Sequence, residues 1–575
     1  YLIPKDFTVT VLDEDGKLVK DATVRFEIVN SSEFFPVACL KTDENGKANI
    51  SMGQGTVHLT ALFEGRAGEA FAEIEKTSGA VVKLGNEPGT DKWVRYRINA
   101  PQSAHVSSVD MTDEEEKLQN EKNAAGDKLR NGRQESYFDK EYAERFKDFE
   151  GITRALSEAH GNFGTLRRFI DEDISGIGLK EKDMLLKTIS QKDCRDITFD
   201  TLKDALSAFS YEKDFDEEIF REFVLAQRIS FETATPFRKF LSERFSDKKD
   251  EIRKDPAGFY GFVNRTFKTF IDKEYTTILS TPEGLVKTGS GTQYSKDVLY
   301  VAILRTFGVP ARFDWCYDKP QVYVNGKFVY ADPAFERTAE LCLTSLDEKA
   351  PEYGGNYTIG MRQADRHFET IGAWGTRFEN GKALIKLAPG EYRIVTCERM
   401  ASGSIAGKTI RFSLAEGERE NLEISVNEIG ADEFISERDL PESTTRFTKG
   451  NEGRGLLILA DPGKEPTEHV FNELLEISRM SGFPKCPIKL CLKDESALKD
   501  PTMVKILGTY KDIETTFSDI EADASEIAKA TGVRYKGLPY ICVTEGETKA
   551  LYACSGYNVG CVDIFAKIIR GQQGN

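Results

Sequence analysis

Three features are missing from this sequence: a Cys-x-x-Cys pair, a long apolar run and a dense cluster of basic residues. The 10 cysteines are scattered, most of them inside apolar segments. Without a Cys-x-x-Cys pair we expect neither a ribbon-type zinc site nor a dithiol redox motif, and we predict no metal and no cofactor. No run approaches the ~18 consecutive apolar residues of a membrane helix, so we predict no membrane span.

Basic charge is also in short supply. The chain has 78 Lys and Arg against 95 Asp and Glu, which gives a net charge of −17 and a pI near 5.1. Over most of such a surface the phosphates of a nucleic acid are repelled, so we expect no nucleic-acid partner. The first residues, Tyr1 to Pro4, carry no charged segment followed by an apolar core, and they indicate no localisation.

The length of 575 residues predicts several domains. Residues 5–87 alternate apolar and polar side chains between turns, as β-strands do, and apolar residues recur at helical spacing between 202 and 245. Residues 370–430 are again typical of strands, and a β-α-β pattern begins near 446. The predicted fold class is multi-domain α+β: a β-sandwich at 1–95, a helical region at 96–275, a mixed core at 276–370, a second small β-sandwich at 371–432 and an α/β domain at 446–575.

The N-terminal strands carry two motifs, one from Asp15-Gly16 to Val24 and one from Thr42 to Ala48. Their sequence resembles the prealbumin-like or immunoglobulin-like accessory modules of bacterial surface proteins, and the resemblance implies that the second motif is a hairpin turn. The resemblance implies a role in spacing or docking and an exported protein, so we expect an extracellular or cell-envelope location.

A linked set of motifs lies in the predicted core. Residues 308–312 are Gly-Val-Pro-Ala-Arg after an apolar helix, a Val-Tyr-Val strand and the turn Asn325-Gly326 follow, and then comes Asp332-Pro333. This order and spacing resemble the papain-type, transglutaminase-like domain over roughly residues 110–370. The resemblance implies a catalytic cysteine at the start of the helix, a histidine base on the next strand and an orienting aspartate.

The spacing of the family places Gln293 at the cysteine, Tyr317 at the histidine and Asp332 at the aspartate. A glutamine amide cannot form the thioester, and a tyrosine with a pKa near 10 is a poor base at neutral pH. We therefore expect no catalytic residues at these degenerate triad positions. As a strand neighbour of Tyr317, Cys316 is expected to point away from the cleft, and a relocated Cys316/His367 pair is the fallback site.

The retained cleft is predicted to offer aromatic and amide groups to a peptide, protein or glycan ligand. Its predicted ligand-binding residues are Gln293, Tyr294, Trp315, Tyr317 and Asp332. A cleft filled by its own side chains, which would make the domain a spacer, stays open as an alternative.

At the C-terminus the run Leu538 to Val543 and the segment 552–560, with a glycine-containing turn, resemble the second half of a thioredoxin-like domain. The family's dithiol position, between Ala460 and Pro466, holds no cysteine, so disulfide exchange is not expected there. Cys486 with Cys491, or Cys554 with Cys561, could form structural disulfides, which spacing alone does not decide.

The function that follows is a non-catalytic, transglutaminase-like binding or scaffold protein at the cell surface. The alternative is a divergent cysteine peptidase or acyl transferase with a rearranged active site.

Overall fold

Alternating burial along the strands organises the N-terminal part of this computed structural model, which describes residues 4–101, 112–174, 176–211, 215–269, 279–347, 349–400, 403–480, 483–558 and 560–573. Two sheets, in the orders β4-β1-β7 and β3-β2-β5-β6, enclose one apolar core. The strands are β1 Lys5–Leu12, β2 Thr23–Asn30, β3 Glu33–Lys41, β4 Lys47–Met52, β5 Thr56–Phe63, β6 Arg66–Glu73 and β7 Gly79–Lys83.

The next strand, β8 Val94–Ile98, does not belong to this sandwich. It pairs antiparallel with a strand some 300 residues later, with Ile98 opposite Ile405 and Val94 opposite Thr409. The predicted boundary at 95/96 therefore falls inside a strand, because the pairing that defines this strand is non-local.

A helical region follows. Its helices between 140 and 225 share one apolar core, those between 237 and 288 pack into a second core with the central part, and the described side chains of its first helix are exposed. Its helices are α1 Asp113–Ser136, α2 Lys140–Glu144, α3 Glu150–Glu158, α4 Phe163–Asp171, α5 Leu179–Thr188, α6 Gln191–Asp196, α7 Phe199–Ala205, α8 Glu217–Phe220, α9 Arg238–Arg244, α10 Lys249–Lys254, α11 Phe259–Thr266 and α12 Pro282–Thr288.

The central part consists of one buried helix and a small sheet. Helix α13, Gln293–Thr306, is apolar from Val298 to Leu304, is buried from Ser295 onward and packs against a three-stranded antiparallel sheet. The strands of that sheet are β11 Ala311–Phe313, β12 Pro320–Val324 and β13 Lys327–Tyr330, and a two-stranded pair, β9 Lys268–Thr269 and β10 Ser290–Gly291, lies before α13. The predicted Asn325-Gly326 hairpin is confirmed, with φ of 52° and 82° and Val324 opposite Lys327.

Two buried arginines fasten the helical region to α13. The Arg238 guanidinium donates to the carbonyl oxygen of Arg305 at 2.9 Å, and the Arg305 guanidinium donates to the carbonyl oxygens of Ala226 and Arg228 at 2.9 and 3.0 Å. Since buried carbonyl groups must be paired, these bonds fix the segment before α9 against the end of α13.

A second sandwich follows the core and begins earlier than predicted. Its sheets have the orders β17-β14-β21 and β16-β15-β18-β20-β19, and β8 is added to the latter beside β20. The predicted boundary at 370/371 is corrected to a point before β14, because strands on both sides of 370 pair with each other. The strands are β14 Ala339–Ser345, β15 Tyr357–Arg362, β16 Phe368–Thr370, β17 Lys382–Leu387, β18 Gly390–Thr396, β19 Glu398–Arg399, β20 Ile405–Leu414 and β21 Arg419–Ile424.

The C-terminal part is a six-stranded mixed sheet with helices, in the order β22-β27-β26-β23-β24-β25. The pairs β23/β24 and β24/β25 are parallel, whereas β26 and β27 run antiparallel. The elements are β22 Arg438–Asp439, α14 Thr445–Thr448, β23 Arg454–Leu459, α15 Glu465–Met480, β24 Ile488–Leu492, α16 Pro501–Thr509, β25 Ile513–Phe517, α17 Ile520–Thr531, β26 Tyr540–Glu545, β27 Lys549–Ser555 and α18 Cys561–Gln573.

The chain is thus a multi-domain mixed α/β protein with several sheets. Within the described ranges, none of the helices combines the length and apolar character that crossing a membrane requires.

A layer of buried charge joins the two sandwiches. Glu69 on β6 contacts Arg393 of β18 at 3.1 Å and Arg411 of β20 at 2.5 Å. His58 on β5 lies between Glu27 at 2.8 Å and Glu69 at 3.6 Å, with all of its side chain buried. Burial alone would raise the pKa of both carboxyl groups, but the surrounding cations and hydrogen bonds lower it, to about 2 for Glu27 and further for Glu69.

We expect the substitution Glu69→Gln to destabilise the contact between the sandwiches. It leaves the Arg393 and Arg411 guanidinium groups buried without their shared carboxylate, and removing one partner of such a group costs on the order of 3–5 kcal/mol. The measurement is the midpoint of the first urea-unfolding transition at neutral pH. Glu64→Gln, at an exposed site just before the same strand, is the matched control, and equal midpoints for the two variants would contradict a stabilising role of the charge layer.

Candidate functional site

The start of α13 is where the resemblance places the nucleophile. Thr292 caps the helix, since its hydroxyl accepts the Ser295 amide at 3.1 Å, and the first helical residue is Gln293. From Ser295 to Thr306 the helix is buried. Position 293 is therefore held rigidly at the exposed end of a buried helix.

The Gln293 side chain is engaged in a polar cluster. Its Nε2 donates to Asn264 Oδ1 and to Asp297 Oδ1, both at 2.9 Å, and the Tyr260 hydroxyl donates to the same Asp297 oxygen at 2.8 Å. Asp297 is 1% exposed. Burial raises the pKa of its carboxyl to about 6, against lowering contributions from the Tyr260 and Gln293 hydrogen bonds.

Asp332 lies on the same side of the core. It follows β13 and caps a short 3-10 helix, accepting the Ala334 amide at 2.9 Å. Burial raises the pKa of Tyr260, and the charges of Asp297 and Asp332 raise it further. Among the contacts of the described residues, no hydrogen bond or ion pair joins Asp332 to Gln293.

Tyr317 is not on a strand, which corrects the prediction. Strand β11 ends at Phe313, and residues 315–317 form a turn before β12. The buried Asp314 carboxylate holds this turn by accepting the amides of Cys316 at 2.9 Å and Tyr317 at 3.1 Å, and the Tyr330 hydroxyl at 2.9 Å. The strand alternation used to orient Cys316 therefore does not apply.

The Tyr317 side chain packs toward the second sandwich. The Ala388 amide donates to its hydroxyl oxygen at 2.7 Å, and its ring lies 5.1 Å from that of Phe335. Burial raises the pKa of Tyr317 to about 12. The Tyr317 hydroxyl therefore shares no hydrogen-bond partner with Gln293 among the described residues, and Phe335, which its ring contacts, belongs to the 3-10 helix that Asp332 caps.

The fallback pair is also separated into different environments. Burial raises the pKa of the half-buried Cys316 thiol to about 12, and the charge of Asp314 adds to this. His367 lies in the turn between β15 and β16, and its Nδ1 contacts Asp365. Among the described contacts no imidazole faces the Cys316 sulfur.

Aromatic side chains border the start of α13 on the outside. Tyr294 stacks on Phe313 with ring centroids 5.0 Å apart, and its hydroxyl lies 2.8 Å from Ser230 Oγ. Trp315 is 88% exposed and Phe231 is 85% exposed. Phe231 was not predicted. Its exposure follows from a tight loop in which the buried Glu232 carboxylate accepts the amides of Ile229 and Ser230, a local signal that composition alone does not provide.

A groove of about 700 Å³ lies elsewhere, on the helical region beside α7 and α9. Its lining includes Asp200, Lys203, Tyr211, Arg238 and Lys239. None of the predicted ligand-binding residues belongs to this groove. Nor do the described residues contain a group of three or more His, Cys, Asp or Glu side chains arranged to hold a metal ion.

In the C-terminal part, the turn between β23 and α15 contains no cysteine. The ten cysteines are free thiols in this structure, including Cys486 and Cys491. The Cys561 thiol interacts with that of Cys554 and raises its pKa, so these two side chains face each other. His469 stacks on Tyr557 at 4.8 Å, and the Tyr557 hydroxyl donates to Glu473 at 2.7 Å.

The raised pKa of Asp297 predicts a pH-dependent stability. An acid whose folded pKa lies above its unfolded value of 3.8 contributes stability at low pH that is lost as the pH rises through about 6. The difference corresponds to about 3 kcal/mol, and Asp297→Asn keeps the oxygen that accepts from Tyr260 and Gln293. We expect the variant to match the parent near pH ~4 and to exceed it by up to about 3 kcal/mol near pH ~8.

The measurement is the difference in Tm between variant and parent across this pH range. Asp127→Asn, on the exposed face of α1, is the control. Parallel Tm profiles for the parent and Asp297→Asn would show that Asp297 is not the titrating group.

Comparison with known proteins yields little. No protein-family description matches the chain, and no curated protein matches it. Among solved structures it is similar to a protein described as a thiol:disulfide interchange protein, DsbE, from Chlorobium tepidum, with 14% sequence identity and a TM-score of 0.15. That match covers 24% of this chain and 95% of the other, and a likeness at this score carries no argument about fold or chemistry.

Proposed function

We propose that this chain is a non-catalytic binding or scaffold protein of the cell surface, with a transglutaminase-like central part and a thioredoxin-like C-terminal part. One observation carries the proposal. The first residue of α13 is a glutamine, and its side-chain amide donates hydrogen bonds to Asn264 and Asp297 at 2.9 Å. A side-chain amide at this position is not a nucleophile that could carry out acyl transfer or peptide hydrolysis.

The arrangement of the central part supports the transglutaminase-like assignment. A buried helix is followed by three antiparallel strands, with the Asn325-Gly326 turn between the second and third. Two of the three motif residues support this assignment, since Gln293 opens the helix and Asp332 follows the last strand, whereas Tyr317 lies in a turn.

The C-terminal sheet supports the thioredoxin-like assignment in a similar way. A parallel pair with an intervening helix, β23-α15-β24, is joined to an antiparallel pair, β26 and β27, and α18 closes the unit. The turn before α15 has no thiol, so this part is also proposed to act without disulfide exchange.

Binding is supported by the exposed aromatic residues beside the cleft. Side chains as large as Trp315 and Phe231 are seldom left almost fully exposed without a partner, and a peptide or glycan segment is the proposed ligand. The surface-module resemblance of residues 5–87 supports an extracellular or cell-envelope location.

A thiol-reactive probe separates this proposal from a divergent cysteine enzyme. With a pKa of about 12, on the order of 1 in 100,000 Cys316 thiols is ionised at neutral pH, so labelling by a chloroacetamide is expected to be slow and unselective. The measurement is mass-spectrometric labelling of the native protein and of Cys316→Ala. Rapid labelling that disappears in the variant would establish the cysteine enzyme instead.

Arrays separate a binding protein from a spacer. We expect the full chain to retain selected peptides or glycans, and to retain them equally after its accessible thiols have been alkylated with iodoacetamide, because no thiol takes part. If neither array retained a peptide or a glycan, the result would favour a spacer and would contradict the binding function.

A further inference from the structure

The aromatic face is the group Phe231, Tyr294, Phe313 and Trp315. Its members come from three separate segments that meet at the start of α13. Ser230, the neighbour of Phe231, lies 2.8 Å from the Tyr294 hydroxyl, and Tyr294 stacks on Phe313 at 5.0 Å. Trp315 follows Phe313 by two residues, at the start of the turn that Asp314 holds.

The turn fixes the backbone beneath Trp315. The Gly372 amide donates to the carbonyl oxygen of Cys316 at 2.6 Å, and a Cβ on Gly372 would lie 1.9 Å from the carbonyl oxygen of Trp315. Only glycine permits this approach. The indole is therefore presented to solvent from a rigid support, which lowers the entropy cost of binding a ligand.

Two carboxylates accompany the aromatic face. Asp318 lies three residues after Trp315 in the chain, and Glu369 lies three residues before Gly372, whose amide donates to Cys316 in the turn beside Trp315. Burial raises the pKa of Tyr294, and the charges of Asp318 and Glu369 are among the groups that raise it further. The Glu369 charge also raises the pKa of Asp318, after the contribution from burial, so the two carboxylates repel each other. Lys319 is the cation that acts on Asp318.

The other charged groups of this region are already engaged. Glu232, which also acts on Tyr294, accepts two backbone amides, and Arg228 pairs with Asp193 at 2.5 Å. The Asp314 carboxylate accepts the backbone amides of Cys316 and Tyr317 in its own turn. Asp318 and Glu369 are exposed, and neither has a hydrogen-bond or ion-pair partner among the contacts of the described residues.

We propose that the aromatic face binds a lysine- or arginine-bearing peptide segment, whose cation lies over Trp315 while Asp318 and Glu369 neutralise its charge. This inference rests on the proposed binding function and names the partner of that site. A cation over an indole face, with carboxylates beside it, is a favourable arrangement that a neutral ligand does not exploit.

Charge complementarity favours this partner over the others. The chain has a net charge of −17, so a basic segment is also attracted at long range, whereas nucleic acid and anionic lipid are repelled. A neutral glycan would stack on Trp315 but would add no positive charge beside the two carboxylates.

The test is fluorescence-anisotropy titration of the full chain with three labelled nonapeptides that alternate glycine and serine with lysine, glutamine or glutamate. A neutral hexasaccharide of N-acetylglucosamine serves as the glycan probe. We expect the lysine peptide to bind at least about tenfold more tightly than the glutamine peptide, and its affinity to fall as salt rises from about 50 to about 500 mM.

Two variants locate the binding. Trp315→Ala and the double variant Asp318→Asn with Glu369→Gln are each expected to weaken the lysine peptide roughly tenfold, without a change in Tm, because these side chains are exposed. Phe517→Ala and Glu465→Gln, an exposed aromatic residue and an exposed carboxylate in the C-terminal part, are the matched controls and are expected to bind as the parent does.

Each other outcome has a definite meaning. Equal binding of the glutamine or glutamate peptide, or preferential binding of the hexasaccharide in a Trp315-dependent way, would overturn the basic-peptide partner and leave the binding function standing. A dimer of the chain that dissociates in Trp315→Ala would identify a second copy as the occupant and would overturn it as well. No binding of any probe, together with silent arrays, would remove the binding function itself.

Discussion

The contact between the two sandwiches depends on a layer of buried charge. Glu69 bridges Arg393 and Arg411 from the facing sheet, and His58 lies between Glu69 and Glu27. Charges of this kind are costly to desolvate and are tolerated only when each meets its partners in good geometry. The layer therefore fixes one relative position of the sandwiches, where apolar surfaces alone would permit sliding, and the turn that carries Trp315 is hydrogen-bonded to the second of them through Gly372.

The start of α13 and the turn after β11 are organised by polar groups that are buried and hydrogen-bonded. Asp314 holds the turn after β11, Asp297 holds Gln293, and Arg305 holds the segment before α9 against α13. Each of these groups leaves little freedom to its neighbours, because breaking one bond would leave a buried donor or acceptor unpaired. The result is a rigid support that carries exposed aromatic residues.

Local chemistry explains what could be predicted from the sequence, and non-local pairing explains what could not. The Asn325-Gly326 hairpin, the start of α13 and the C-terminal strands follow from turn residues, caps and apolar runs within a few residues of each other. The boundary at 370/371 was wrong because β14 and β15 pair with strands beyond it. The turn at Tyr317 was missed because one carboxylate, Asp314, outweighs the β-propensity of its neighbours.

The pairing of β8 with β20 also limits the order in which the parts of the protein can fold during synthesis. Val94 to Ile98 leaves the ribosome long before Ile405, its partner, has been made. At about 5–20 residues per second, roughly 15 to 60 s of synthesis separate the two. During that interval the first sandwich can fold on its own. The backbone groups of β8 that later bond to β20 stay unpaired, so this strand is open to other strands until the second sandwich has been made.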